Sequence, residues 1–153
     1  MSIILFALLI GIVAGLRAMI PLAAVSWMAA TGHLDLSGTR LAFLGYRWAP
    51  YIFSVIAAAE LVADQLPSTP SRKIPPQFAT RIVTGAFAGA VLGIPSGNWV
   101  VGLVAGAIGA VIGTLGGAAA RSRLARMFGH DRPAAILEDF VAIAIAVLVA
   151  LAR

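Results

Sequence analysis

An all-α, polytopic membrane protein is predicted by three observations: the apolar composition of the chain, the length of its apolar stretches, and basic residues that collect in alternate connections. Of 153 residues, 61% are apolar and 11% charged, with a mean hydropathy of +0.99. Soluble domains carry about 25% charged residues. Lipid rather than water would cover the outer faces, so residues 1–153 read as a single integral-membrane domain. Five stretches, residues 3–30, 49–66, 82–94, 99–120 and 134–152, come close to the ~20 mostly apolar residues that span hydrocarbon at ~1.5 Å per residue.

The first stretch is too long for one straight span and contains Arg17 and Pro21. It predicts a tilted helix, or a helix broken near those residues whose remainder lies along the interface. Between residues 31 and 50, Leu41, Phe43, Leu44, Tyr46 and Trp48 resemble an interfacial piece with an aromatic belt, with room for an extra re-entrant or interfacial helix. The second stretch carries Glu60 and Asp64 late in its course. The third is short and reaches across only with Phe78, Ala79 and a snorkelling Arg81. A turn-forming run, Pro95-Ser96-Gly97-Asn98, joins it to the fourth. The fifth opens with Glu138 and Asp139, where carboxylates favour the positive end of a helix dipole.

Arg72, Lys73 and Arg81 follow the second stretch, and Arg121, Arg123, Arg126 and Arg132 follow the fourth. The positive-inside rule places these two connections in the cytoplasm. The others hold only Arg40 and Arg47, or no charge at all. Five spans with the N-terminus inside and the C-terminus outside satisfy that alternation. The pI of about 11.1 arises beside apolar segments, so anionic lipid headgroups are the expected partner and nucleic acid is not. With no cysteine, disulfides, thiol catalysis and thiolate metal sites are excluded.

Small residues four apart let helices approach closely in lipid, where apolar burial does not drive association. Gly85, Gly89 and Gly93 form one such row, Gly102 and Gly106 a second, Gly109, Gly113 and Gly117 a third, and Gly11 and Gly15 a shorter one. Glycine-zipper packing is expected, with the third and fourth spans paired as a hairpin. The partner helix could belong to this chain or to another copy.

Arg17 lies roughly 20 Å along a helix from Ile3, and a central arginine costs at least ~2.5 kcal/mol on insertion scales. It calls for a carboxylate partner. Glu60 and Asp64 share one helix face at i and i+4, and Glu138 and Asp139 approach from the same side. These five residues form the candidate buried polar, ion or substrate site, read either as a register-fixing ion pair or as the lining of a cytoplasmic cavity. The segment after Asp64 holds Pro67, Pro70, Pro75 and Pro76, which stiffen it. There Ser68, Thr69 and Ser71, with Arg72, Lys73 and Arg81, are candidate phosphate or headgroup contacts, weighed against a merely stiff basic loop.

Gly11-Ile12-Val13-Ala14-Gly15-Leu16-Arg17-Ala18, Glu60-Leu61-Val62-Ala63-Asp64-Gln65-Leu66-Pro67, Thr69-Pro70-Ser71-Arg72 and Leu137-Glu138-Asp139 together resemble a family of small bacterial integral-membrane proteins known only as a domain of unknown function. The resemblance covers essentially the whole chain. It implies a helical protein of the bacterial cytoplasmic (inner) membrane and no particular activity. Leu66-Pro67-Ser68-Thr69 after an acidic pair is faintly similar to motifs of membrane polyprenyl-diphosphate phosphatases, but the second motif of those enzymes is missing. No catalytic set, metal-spaced cluster or P-loop is present, so neither an enzyme nor a cofactor is expected. The expectation is a small transporter or channel-like protein, self-associated as a homo-oligomer. The alternative is a noncatalytic subunit or assembly factor that docks through its glycine faces, and lipid-phosphate binding or processing is a minor third.

Overall fold

The computed structural model describes residues 2–66, 68 and 70–153. Among them are six α-helices and no strand: α1 (Ile3–Leu16), α2 (Ile20–Ala30), α3 (Ala49–Ala63), α4 (Pro75–Gly93), α5 (Trp99–Phe128) and α6 (Asp131–Ala152). The last three are long and apolar enough to cross a membrane; the first three are shorter apolar helices. The protein is a helical membrane protein.

The first apolar stretch is two helices. Arg17 adopts an extended backbone, and Pro21, in the first turn of α2, supplies a position that needs no amide partner. After the break the chain folds back antiparallel to α1, so that Val25 and Met28 pack in one core with Phe6 and Ile10. In turn α3 runs antiparallel to α2: its late Glu60 meets Ala18 and Met19, while its early Tyr51 and Ser54 meet Trp27. The five apolar stretches therefore form six helices, because the first stretch supplies two. Arg153 donates to the Leu92 carbonyl at 2.7 Å, in the region where Ile3 packs on the Leu92 and Val149 core. Both termini thus lie at the same end of the bundle.

Between α2 and α3 only a 3₁₀ turn, Ala42–Gly45, is helical, and no re-entrant helix forms. Leu34, Leu36 and Leu44 are buried beneath it, and Tyr46 and Trp48 are exposed. Asp35 closes an Asx turn by accepting from the Ser37 hydroxyl at 2.5 Å and amide at 2.9 Å. These bonds hold its carboxyl below the usual carboxylate range.

Helix α1 is central and packs on α5, α4, α6 and α2. The glycine rows of α5 serve two neighbours. A Cβ on Gly102 or Gly106 would overlap the Gly89 or Gly85 carbonyl oxygen of α4, and one on Gly109 or Gly113 would overlap the Leu8 or Ile12 carbonyl oxygen of α1. Gly11 and Gly15 complete the α1 face against Gly106 and Thr114, and Gly93 abuts Asn98 and Trp99. The α4–α5 hairpin turns at Gly97, whose φ of 70° is a left-handed conformation that glycine adopts without a Cβ clash.

Candidate functional site: a broken helix capped by ion pairs

A helix that stops inside a bundle leaves carbonyls at one end and amides at the other without partners. Here side chains from three other helices, together with Arg17 in the break itself, supply them. The Gly15 carbonyl accepts from Arg81 Nη1 at 2.9 Å, and the Leu16 carbonyl accepts from Arg81 Nη1 at 2.7 Å and Arg17 Nη1 at 2.8 Å. Thr114 of α5 adds a long bond, 3.4 Å, to Gly15. Two cations therefore sit at the negative end of the α1 dipole. At the start of α2, Glu60 accepts from the Ala18 amide at 2.7 Å and the Met19 amide at 2.8 Å, placing an anion at the positive end.

Glu60 is thus a helix cap, and the expectation that it could pair with Arg17 is corrected. Arg17 is fully buried and makes its shortest contacts with Asp139: Nε donates to Oδ1 at 2.7 Å, and Nη2 lies 2.5 Å from the same oxygen. Nη1 reaches Asp64 at 3.1 Å and Glu138 at 3.5 Å. Two of these partners, Glu138 and Asp139, are more than a hundred residues away in α6, which packs against α1. Helix α6 begins at Asp131, so Glu138 and Asp139 lie two turns into it and their place is set by ion pairing, not by a helix start. Gln65 donates to Asp139 Oδ2 at 3.1 Å.

Arg72 reaches in from the proline-rich connection and grips both oxygens of Glu138, with Nη2 to Oε2 at 2.8 Å. Gly117 makes room for this fork: a Cβ there would lie 3.1 Å from Glu138 Oε1 and 3.2 Å from Arg72 Nη1. Arg121 forms a second fork with Asp131 at 2.9 and 2.5 Å. Arg121 and Asp131 were not among the residues singled out from the sequence. The signal was available, since a long α5 followed by a tight turn at Gly129 brings residues ten apart together.

The headgroup candidates divide. Arg72 and Arg81 belong to the cluster, and Arg81, 3% exposed, points inward and does not snorkel. Ser71 lines the adjoining cavity and accepts from the Lys73 amide at 3.3 Å. Ser68 and Lys73 are exposed outside it, and Thr69 lies outside the described residues.

Two openings flank the cluster. A cavity of about 370 Å³, partly open to the exterior, is lined by polar groups including Asp64, Arg72, Arg81 and Arg121. A groove of about 360 Å³ between α2, α3 and α6 is almost wholly apolar and includes Ile20, Leu61 and Ile143. It starts next to the cluster, since Leu61 follows Glu60 and Ile143 lies one turn after Asp139. Among the described residues no three His, Cys, Asp or Glu side chains are placed to hold a metal ion.

The sequence profile described as "Domain of unknown function (DUF4126)" matches residues 4–152. No curated protein and no solved structure matches the chain.

Proposed function

We propose a transport function for this chain, which belongs to the DUF4126 family, a domain of unknown function, over residues 4–152: it is a small transporter or channel-like protein of the bacterial inner membrane. Its charged ligand engages the cluster at the α1–α2 break. The observation that carries this reading is the α1–α2 turn inside the bundle, with both of its helix ends capped by charged side chains beside a polar cavity. Helix ends buried at membrane depth are stable only where other groups satisfy the freed backbone, and in transporters buried helix ends mark ion and substrate sites. Arg81 and Asp139 lie six and eight residues inside α4 and α6, about 9–12 Å from those helix ends. The site is therefore within reach of one aqueous face and separated from the other by the glycine-packed bundle. The basic end faces the cytoplasm by the positive-inside rule, which puts both termini on the outer side.

Solid-supported membrane electrophysiology tests this, with proteoliposomes exposed in turn to jumps of protons, sodium and phosphate. Wild-type protein should give a protein-dependent current that Glu60→Gln and Asp64→Asn each reduce at least ~tenfold at equal folded yield. Absence of current with every ion, together with variants that alter only thermal stability, would sink the reading and leave the cluster as a lock on helix register. The second reading, a noncatalytic subunit or homo-oligomer, draws support from the exposed outer faces of α3 and α6, including Val55, Val62, Phe140 and Leu148. The glycine rows are used within the chain, so docking would fall on those faces instead.

A further inference from the structure

Arginines in the cluster are unequally supplied with acceptors. Arg72 and Arg121 each hold a carboxylate of their own through two nitrogens. Arg81 does not. Its Nη1 is occupied by the Gly15 and Leu16 carbonyls, its nearest carboxylate oxygen is Asp64 Oδ2 at 3.7 Å, and that same oxygen lies closer, 3.1 Å, to Arg17. Its Nε is buried with no hydrogen-bond partner. A guanidinium removed from water with donors left over is a costly arrangement unless an acceptor arrives.

The space for that acceptor is present. Arg81 lines the 370 Å³ cavity together with Arg72, Arg121 and the neutral groups Gln77, Ser71 and Ser122. Three guanidiniums and two carboxylates, Asp64 and Asp131, line the cavity; Glu138 and Asp131 take the Arg72 and Arg121 forks, which leaves Arg81 as the lining cation without a carboxylate fork of its own. The side chains of Gln77 and Ser122 enter none of the cluster's ion pairs or hydrogen bonds. A planar guanidinium with a donor to spare, in one lining with amide and hydroxyl groups and two further guanidiniums, matches a tetrahedral oxyanion carrying several acceptor oxygens.

We propose that this cavity is a binding site for a phosphate-class oxyanion, with Arg81 as its anchor, Arg72 and Arg121 as flanking donors and Gln77 as a neutral contact. The chemistry is common to free phosphate and to the phosphate of a lipid headgroup, either of which can approach from the basic end. As the identity of a transported substrate the assignment rests on the transport reading; as a binding site it stands without it.

The test uses full-length protein in nanodiscs of zwitterionic phosphatidylcholine, titrated calorimetrically with inorganic phosphate, and native mass spectrometry of protein offered phosphatidic acid. Two variants accompany the wild type. Arg81→Gln keeps an amide donor for the α1 carbonyls, and Gln77→Leu leaves every ion pair in place. A charge-assisted bond predicts at least ~tenfold weaker binding in Arg81→Gln and a loss of roughly threefold or more in Gln77→Leu. Saturable phosphate binding with that ranking assigns a free oxyanion. No phosphate binding, with one phosphatidic acid retained by wild type and lost from both variants, assigns a headgroup. Binding of neither, or binding equally strong in all three proteins, overturns the site. If Arg81→Gln does not fold, Gln77→Leu decides alone. Binding without current retains this site and removes the transport reading; phosphate current without binding does the reverse.

Discussion

The glycine seam joining α1, α4 and α5 and the ionic cluster at the end of α1 are both buried, yet they obey opposite rules. Along the seam, backbones touch and no charge is present, so an added methyl is intolerable. Around Arg17 the side chains are long and the distances ordinary, so volume is negotiable while charge is not. The difference follows from the solvent. Lipid does not distinguish a buried leucine from an exposed one, and helices are positioned by close backbone approach and by polar groups that have nowhere else to go.

Substitutions separate the two regions, beginning with the largest effect. Gly106→Leu should yield no folded protein by size-exclusion chromatography in mild detergent. Overpacking costs about 1–3 kcal/mol when side chains can shift, and here the obstacle is the Gly85 backbone. Gly116→Ala, which meets open space, should behave as wild type; an equal loss there would mean that glycine content, not the seam, matters.

Next in size is Arg17→Met, which leaves Asp139 without its guanidinium partner and takes from Asp64 and Glu138 one of the cations they share. Removal of one member of a buried ion pair costs about 3–5 kcal/mol, read as a large fall in thermal stability. Restoration by neutralising Asp139 to Asn in the same protein would sharpen the case; no restoration would assign the loss to packing. Glu60→Gln follows: it turns one acceptor toward a backbone amide into a donor, for about 1–3 kcal/mol, and hydrogen exchange at the start of α2 should rise selectively. Uniform exchange across the bundle would contradict the capping role. Smallest is Asp131→Asn, whose side chain is 61% exposed. An exposed pair contributes about 0–1 kcal/mol and is screened by salt, so the change in melting temperature should shrink further at high ionic strength.

Much of the seam was legible because its signal is local. Four-residue spacing of Gly85 with Gly89, or of Gly109 with Gly113, names a helix face directly, and Pro95 to Asn98 names the turn that pairs α4 with α5. The cluster was legible only in part. Arg17 announces that it needs carboxylates, and Asp64, Glu138 and Asp139 were among those expected. That Glu60 binds amides, that Arg81 faces inward and that Arg121 joins the group are contacts between residues 10 to 66 positions apart. No spacing rule along one helix reports them.

Composition and pattern by themselves determined that this chain is a helical membrane protein, that its glycine faces seek close partners, and that the helix near Arg17 and Pro21 is under pressure to break. Only the tertiary structure decided where the chain goes after that break. Pro21 allows a new helix to start in any direction, and α2 turns back where Glu60 accepts from its amides while Arg81 donates to the carbonyls left by α1. That choice makes six helices out of five apolar stretches, brings both termini to one end of the bundle, and gathers four arginines around the α1–α2 turn.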